Sequence, residues 1–160
     1  MKKFLIFFTG VFIGIILFMP KDNLYFTLQK YLAKQNIYIN SKIKNGFTLN
    51  LLEGEVYQNG INLASFEKTE IMPFIFYNKI VSKNIKINFQ NYTIKSLNIT
   101  YSILNPLKIY ISGKSSFGKI SGEINLLKRF VKIYILNLSD LNLKTFLRKD
   151  DKGYFYYAKF

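Results

Sequence analysis

The chain has 160 residues, of which 23 are Lys or Arg and nine are Asp or Glu, for a formal charge of +14. Cysteine and histidine are both absent, which excludes a disulfide framework, a cysteine metal site and the commonest general base. Nine carboxylates are a poor toolkit for catalysis, so neither an enzyme nor a bound cofactor is expected.

The positive charge raises the question of nucleic acid, because Lys-rich surfaces neutralise phosphates. The lysines are scattered singly, however, and only Arg129 and Arg148 are arginines. A coding bias towards AT-rich codons accounts for the many Lys, Asn, Ile, Phe and Tyr residues without any partner. No nucleic-acid partner is expected. Beside a membrane, anionic headgroups are the nearest acidic surface.

Met1-Lys2-Lys3 precedes an uncharged run from Phe4 to Met19, closed by Pro20-Lys21-Asp22. Sixteen helical residues span about 24 Å, a little under the ~30 Å hydrocarbon layer. Lys3 and Lys21 can snorkel to close the gap. Residues 1–20 are therefore read as a membrane anchor carried by Phe4, Leu5, Ile6, Phe7, Phe8, Val11, Phe12, Ile13, Ile15, Ile16, Leu17 and Phe18. A cleaved signal peptide has a similar start, but Ile-Leu-Phe-Met-Pro lacks the small residues that cleavage needs. Lys2 and Lys3 place the N-terminus in the cytoplasm and residues 21–160 outside it. In a two-membrane envelope that means a single-pass inner-membrane protein with a periplasmic domain. Gly10 and Gly14 have the spacing of a helix-pairing motif, one that apolar segments also contain by chance.

Beyond the anchor, Asn23 is a candidate N-cap, and Leu24, Leu28, Tyr31 and Leu32 recur at helical spacing. This predicts a short amphipathic helix over about 24–35, packed under a sheet or lying on the membrane. The period then changes to two. Asn45-Gly46 and Asn59-Gly60, each between strand-like runs, predict two hairpins with type I′ turns. Pro73 interrupts the pattern as a bend, an edge or a helical turn. Alternation returns through Ile85, Ile87 and Phe89, through Leu97, Ile99 and Tyr101, and through Leu107, Ile109 and Ile111. Further strands are predicted over 119–126, 130–136 and 154–160, with a turn at 150–153.

The expected domain is thus mainly β: an antiparallel meander of about eight to ten strands with one apolar face. Such a sheet can close into a sandwich or barrel, cover itself with the helix, or stay open as a curved, groove-like trough. Ile85, Ile87, Phe89, Leu97, Ile99, Tyr101, Leu107, Ile109 and Ile111 are the candidate core or groove face. Tyr154 to Phe160 alternates in aromatics and ends on one, a pattern shared by small outer-membrane barrels. Glu53 and Glu55 have the spacing of an acid–base pair on one strand face, and a solvated edge explains them equally. Gly113 to Gly122 is glycine-rich but lacks the Gly-Lys-Ser/Thr ending of a phosphate loop, and is read as a hairpin connection.

The order of elements resembles the start of AsmA-like envelope proteins and the related type II secretion system protein N. The resemblance rests on the anchor, the helix Leu24 to Gln35, Ile37-Tyr-Ile, the hairpin Phe47 to Tyr57, Ile61-Asn-Leu-Ala-Ser-Phe, Ile71-Met-Pro-Phe and Ile85-Lys-Ile. The phrase Ser112-Gly-Lys-Ser-Ser-Phe-Gly-Lys-Ile-Ser-Gly-Glu-Ile-Asn-Leu is similar to their glycine-punctuated strands. It implies an accessory or scaffold protein of secretion or envelope assembly, binding protein partners through β-edges and apolar surface. Lipid transfer, with acyl chains of phospholipid held in an apolar trough, is the alternative, and the small barrel is a second. The chain is too short to bridge an envelope alone.

Overall fold

The computed structural model describes residues 2–18, 21–74, 76–89 and 91–160. Two helices, α1 (Lys2–Phe18) and α2 (Lys21–Ala33), precede the strands β1 (Ile37–Asn45), β2 (Leu49–Gln58), β3 (Ile61–Pro73), β4 (Tyr77–Ile87), β5 (Tyr92–Ser102), β6 (Lys108–Ser115), β7 (Gly118–Asn125) and β8 (Phe130–Leu136). A single turn of helix, α3 (Leu141–Lys144), leads to the short β9 (Arg148–Asp150) and to β10 (Gly153–Lys159).

The ten strands form one antiparallel sheet in the order β1-β2-β3-β4-β5-β6-β7-β8-β10-β9. It is a meander in which only β10 departs from chain order, pairing with both β8 and β9. The sheet is not closed, since β1 and β9 are its two edges. A barrel requires every edge to be paired, so the outer-membrane barrel is corrected to an open sheet.

Asn59 and Gly60 have φ of 51° and 80°, the two left-handed positions of a type I′ turn. The first hairpin differs. Its turn runs through Gly46-Phe47-Thr48, one residue too long for a two-residue type I′ loop. Ile71 to Pro73 simply completes β3. Ser116-Phe117 is the two-residue link between β6 and β7, so the glycine-rich stretch is a hairpin.

A crease crosses the sheet and explains how it keeps one apolar face. Ile39 and Ile43 of β1, four apart, pair with Val56 and Leu51 of β2, five apart. Ile94 and Leu97 of β5, three apart, face Ser115 and Gly113 of β6, two apart. Each mismatch is a β-bulge, and a bulge turns a strand over by one residue. Glu53 and Asn84, on the same line, have φ of 49° and 50°. Apolar residues on either side of the crease, such as Leu51 and Val56 or Ile94 and Leu97, therefore share one face although their spacing is odd.

That face is covered at its two ends. Tyr25 of α2 lies on Leu49 and Leu51, with Ile43, Phe66 and Ile71 around them. At the other end Phe117, Ile120 and Ile135 are buried beneath Leu138, Leu143 and Leu147, around α3. Asp140 caps α3 by accepting from the Asn142 N–H, and Tyr92 donates to its other oxygen at 2.7 Å.

The helices depart from expectation in detail. α2 begins at Lys21, so Asn23 lies inside its first turn and is not the cap. Its inward residues are Tyr25, Gln29 and Leu32, while Leu28 and Tyr31 point outward at 40% and 64% exposure. The polar ends of Tyr25 and Gln29 explain the choice, because both bond the backbone of Ile39 on the sheet edge. α1 has 17 residues, and among the described residues no helix is long and apolar enough to cross a membrane.

Candidate functional site: the open apolar face

Pairing carries one row of side chains across almost the whole sheet. Leu49 pairs with Ile71, which pairs with Ile80, then Ile99, Ile111, Gly122, Ile133 and Tyr156. A parallel row runs Tyr101, Ile109, Ile124, Val131 and Ala158. Cross-strand packing of β-branched chains stabilises the sheet itself; Ile71 also packs on the α2 cluster and Ile111 and Ile133 on the α3 cluster, whereas Ile80, Ile99, Ile109 and Ile124 join neither. Ile71, Ile80, Ile99, Ile109, Ile111, Ile124 and Ile133 are all only part-buried. Leu49 and Leu51, under α2, are the largest fully buried side chains among the described residues. Adjacent strands lie about 4.8 Å apart, so the uncovered reach from β4 to β7 is roughly 14 Å wide.

Gly122 in the first row, and Gly113 between Leu97 and Ile120 on the same face, are required sterically. A Cβ on Gly122 would lie 2.5 Å from the Lys132 carbonyl oxygen, and one on Gly113 equally close to that of Ser96. The Phe66 ring fills the space above Gly54.

Of the residues expected on this face, Leu97, Ile99, Tyr101, Ile109 and Ile111 are brought together on it, and Ile85 and Ile87 join them across the crease. Phe89 and Leu107 do not. Both lie in turns, exposed by 63% and 46%, because β4 ends at Ile87 and β6 begins at Lys108. Of the expected anchor, Phe4, Ile6, Phe7, Phe8, Val11 and Ile13 are exposed on α1, and Phe12 packs on Phe76 at 5.7 Å between ring centres. The side chains of Leu5, Ile15, Ile16, Leu17 and Phe18, and all of Met19 and Pro20, lie outside the described residues.

The opposite face is mainly polar from β2 to β7 and carries the rings of Phe130, Tyr134, Phe155 and Tyr157 at β8 and β10. Three positions from the isoleucines a row on it reads Leu52, Lys68, Lys83, Ser96, Lys114 and Lys119. Glu53, Glu55 and Glu67 line a depression of about 510 Å³ over the crease, with Asn84 and Lys86. Each is already engaged: Glu53 with Lys42, Glu55 with the Tyr57 hydroxyl, and Glu67 with the Asn84 amide. The Lys42 ammonium holds the Glu53 carboxyl below its ordinary range. Glu53, at a bulge with left-handed φ, and Glu55 both line this depression, each held by a different partner. No group of three or more Asp or Glu suited to a metal occurs among the described residues.

The crease and the two end clusters escaped the period-two reading. Their signal was present, in apolar spacings of three (Ile94 to Leu97) and in asparagines within strand-like runs (Asn84), a residue that tolerates left-handed φ.

No family model matches the chain, and comparison with curated proteins and with solved structures gives no match either.

Proposed function

We propose that this chain is a membrane-anchored envelope protein whose open β-face holds phospholipid acyl chains. The observation that carries the reading is the group of part-buried isoleucines, Ile80, Ile99, Ile109 and Ile124, that lies between the α2 and α3 clusters and belongs to neither. An apolar surface of that extent calls for an apolar occupant, and the Thr69 and Ser82 hydroxyls on the same face are paired with each other at 2.8 Å. Residues 1–20 would hold the domain at the source of its ligand. The resemblance to AsmA-like proteins fits the same picture. The expected route to a scaffold, addition of a partner strand, has less to offer. Gln29 engages both the N–H and the carbonyl of Ile39 in the middle of β1, and β9 has three residues carrying Arg148 and Lys149.

A scaffold in a secretion or envelope assembly is the second reading, favoured by Phe26, Leu28 and Tyr31 exposed along α2. Native mass spectrometry of the detergent-extracted chain separates the two. Phospholipid that co-purifies with the wild type and is lost in a folded Ile99→Glu, Ile111→Glu variant supports the trough. A lipid-free chain holding a stoichiometric protein partner supports the scaffold and refutes the trough.

A further inference from the structure

The meander sends alternate turns to opposite ends of the sheet, and the two ends differ in kind. One end collects the turns 46–48, 103–107 and 126–129 and residues 74 and 76, together with Phe160, whose N–H bonds the Arg129 carbonyl. At this rim Phe47, Phe76, Ile103, Leu104, Leu127 and Phe160 are exposed, Leu104 by 93% and Leu127 by 69%. Leu104 and Leu127 each stand five positions beyond the isoleucine row, at Ile99 and Gly122, so they reach similar heights. Lys128, Arg129 and Lys159 are exposed among them, and these turns contain no Asp or Glu. The opposite end is built from Asn59-Gly60, from the turn flanked by Asn88 and Asn91, from Ser116, and from Asp151-Lys152. Fewer large apolar residues are exposed there, chiefly Ile61, Phe89 and Leu136, with Phe146 beyond α3.

The helices meet the sheet at the apolar rim. Lys21, at the start of α2, donates to the Gly46 carbonyl at 2.8 Å, and Phe12, midway along α1, packs on Phe76. Six residues of helix separate Phe12 from Phe18, about 9 Å of rise. The rim therefore lies alongside the apolar helix and not merely at its end.

We infer that this rim is a membrane-docking edge, with Leu104, Leu127 and their neighbours set among the acyl chains and Lys128 and Arg129 on anionic headgroups. Apolar and aromatic residues beside basic ones are the composition that partitions into the bilayer interface, and cations near an anionic surface add to it. The sheet then stands with its strands steep to the membrane and its polar end furthest away. This placement does not depend on what the isoleucine face holds.

The chain contains no Trp, so single Trp substitutions report one site each. The test uses the full chain in vesicles of phosphatidylcholine and phosphatidylglycerol, with Leu104→Trp, Leu127→Trp and, at the far end, Phe89→Trp. All three are exposed positions, and an unchanged β spectrum verifies the fold. The expected result is blue-shifted emission for the first two, quenched several-fold more strongly by brominated lipid than for Phe89→Trp. Adding Lys128→Glu and Arg129→Glu should weaken that quenching at Leu127→Trp. Aqueous iodide quenching all three alike would overturn the inference. So would rim probes shielded from both quenchers in a cross-linkable dimer, which would assign the edge to a second copy. Lipid held only on the isoleucine face would leave both rim probes wet, so this failure is distinct from failure of the trough.

Discussion

Leu51 and Ile99 are both aliphatic side chains on the same sheet face, and truncating each to Ala separates a covered surface from an open one. Leu51 is 2% exposed beneath Tyr25. Removing three carbons there forfeits about 2.4 kcal/mol of transfer energy at ~0.8 kcal/mol per buried CH₂. The cavity left beneath α2 raises the cost to about 3–4 kcal/mol. Ile99 also loses three carbons, but it is only part-buried and opens no enclosed cavity. Its cost should be about 1–1.5 kcal/mol. Guanidinium unfolding of the full chain in a mild non-ionic detergent, followed by circular dichroism, reads both from the midpoint and slope. Ile135→Ala, at the α3 end, should behave like Leu51→Ala. An Ile99→Ala cost equal to that of Leu51→Ala would mean that the central face is a packed core, and the trough argument would fail.

Three further outcomes follow from geometry. Gly122→Val should cost about 3 kcal/mol or more in the same unfolding assay, because its side chain meets the backbone of β8, whereas Gly60→Ala, with open space but φ of 80°, should cost about 1 kcal/mol. Gln29→Ala should cost about 1 kcal/mol and raise the dimer fraction in analytical ultracentrifugation, since it frees the Ile39 N–H on the edge while Tyr25 keeps the carbonyl. The Tyr92 hydroxyl and the Asn142 N–H hold the Asp140 carboxyl below its ordinary range, and the Asp140 carboxylate holds the Tyr92 phenol above its own. A depressed carboxyl stabilises the fold above its unfolded value and ceases to as pH falls through the folded one. Protection of the Asn142 amide from hydrogen exchange should therefore disappear on acidification below the ordinary carboxylate range, and Tyr92→Phe should reduce it at neutral pH.

Much of the sheet is legible from alternation alone, because a strand covered on one side must repeat every two residues. Ile109 and Ile111, or Leu97 and Ile99, announce their face directly. What alternation hides is any device that changes its phase. Glu53 and Asn84 take left-handed φ inside strands, and no residue-type pattern marks Glu for that role. The α2 contact was misread for a related reason. Leu28 and Tyr31 make the more apolar stripe, but Tyr25 and Gln29 can satisfy an edge strand's backbone as well as cover its side chains. Hydrogen bonding outweighed hydrophobicity there. The uncharged run from Phe4 is legible as a helix, α1.

The late reversal of strand order has its own consequence. As the polypeptide is made, each strand from β2 to β8 finds its partner immediately before it, so contact order is low and zipping can keep pace with synthesis. The final seven-residue strand is different: it inserts between β8 and β9, and β9 has no other neighbour in the sheet. Clipping the chain just before Gly153 would thus strip two strands instead of one, leaving β8 as a raw edge.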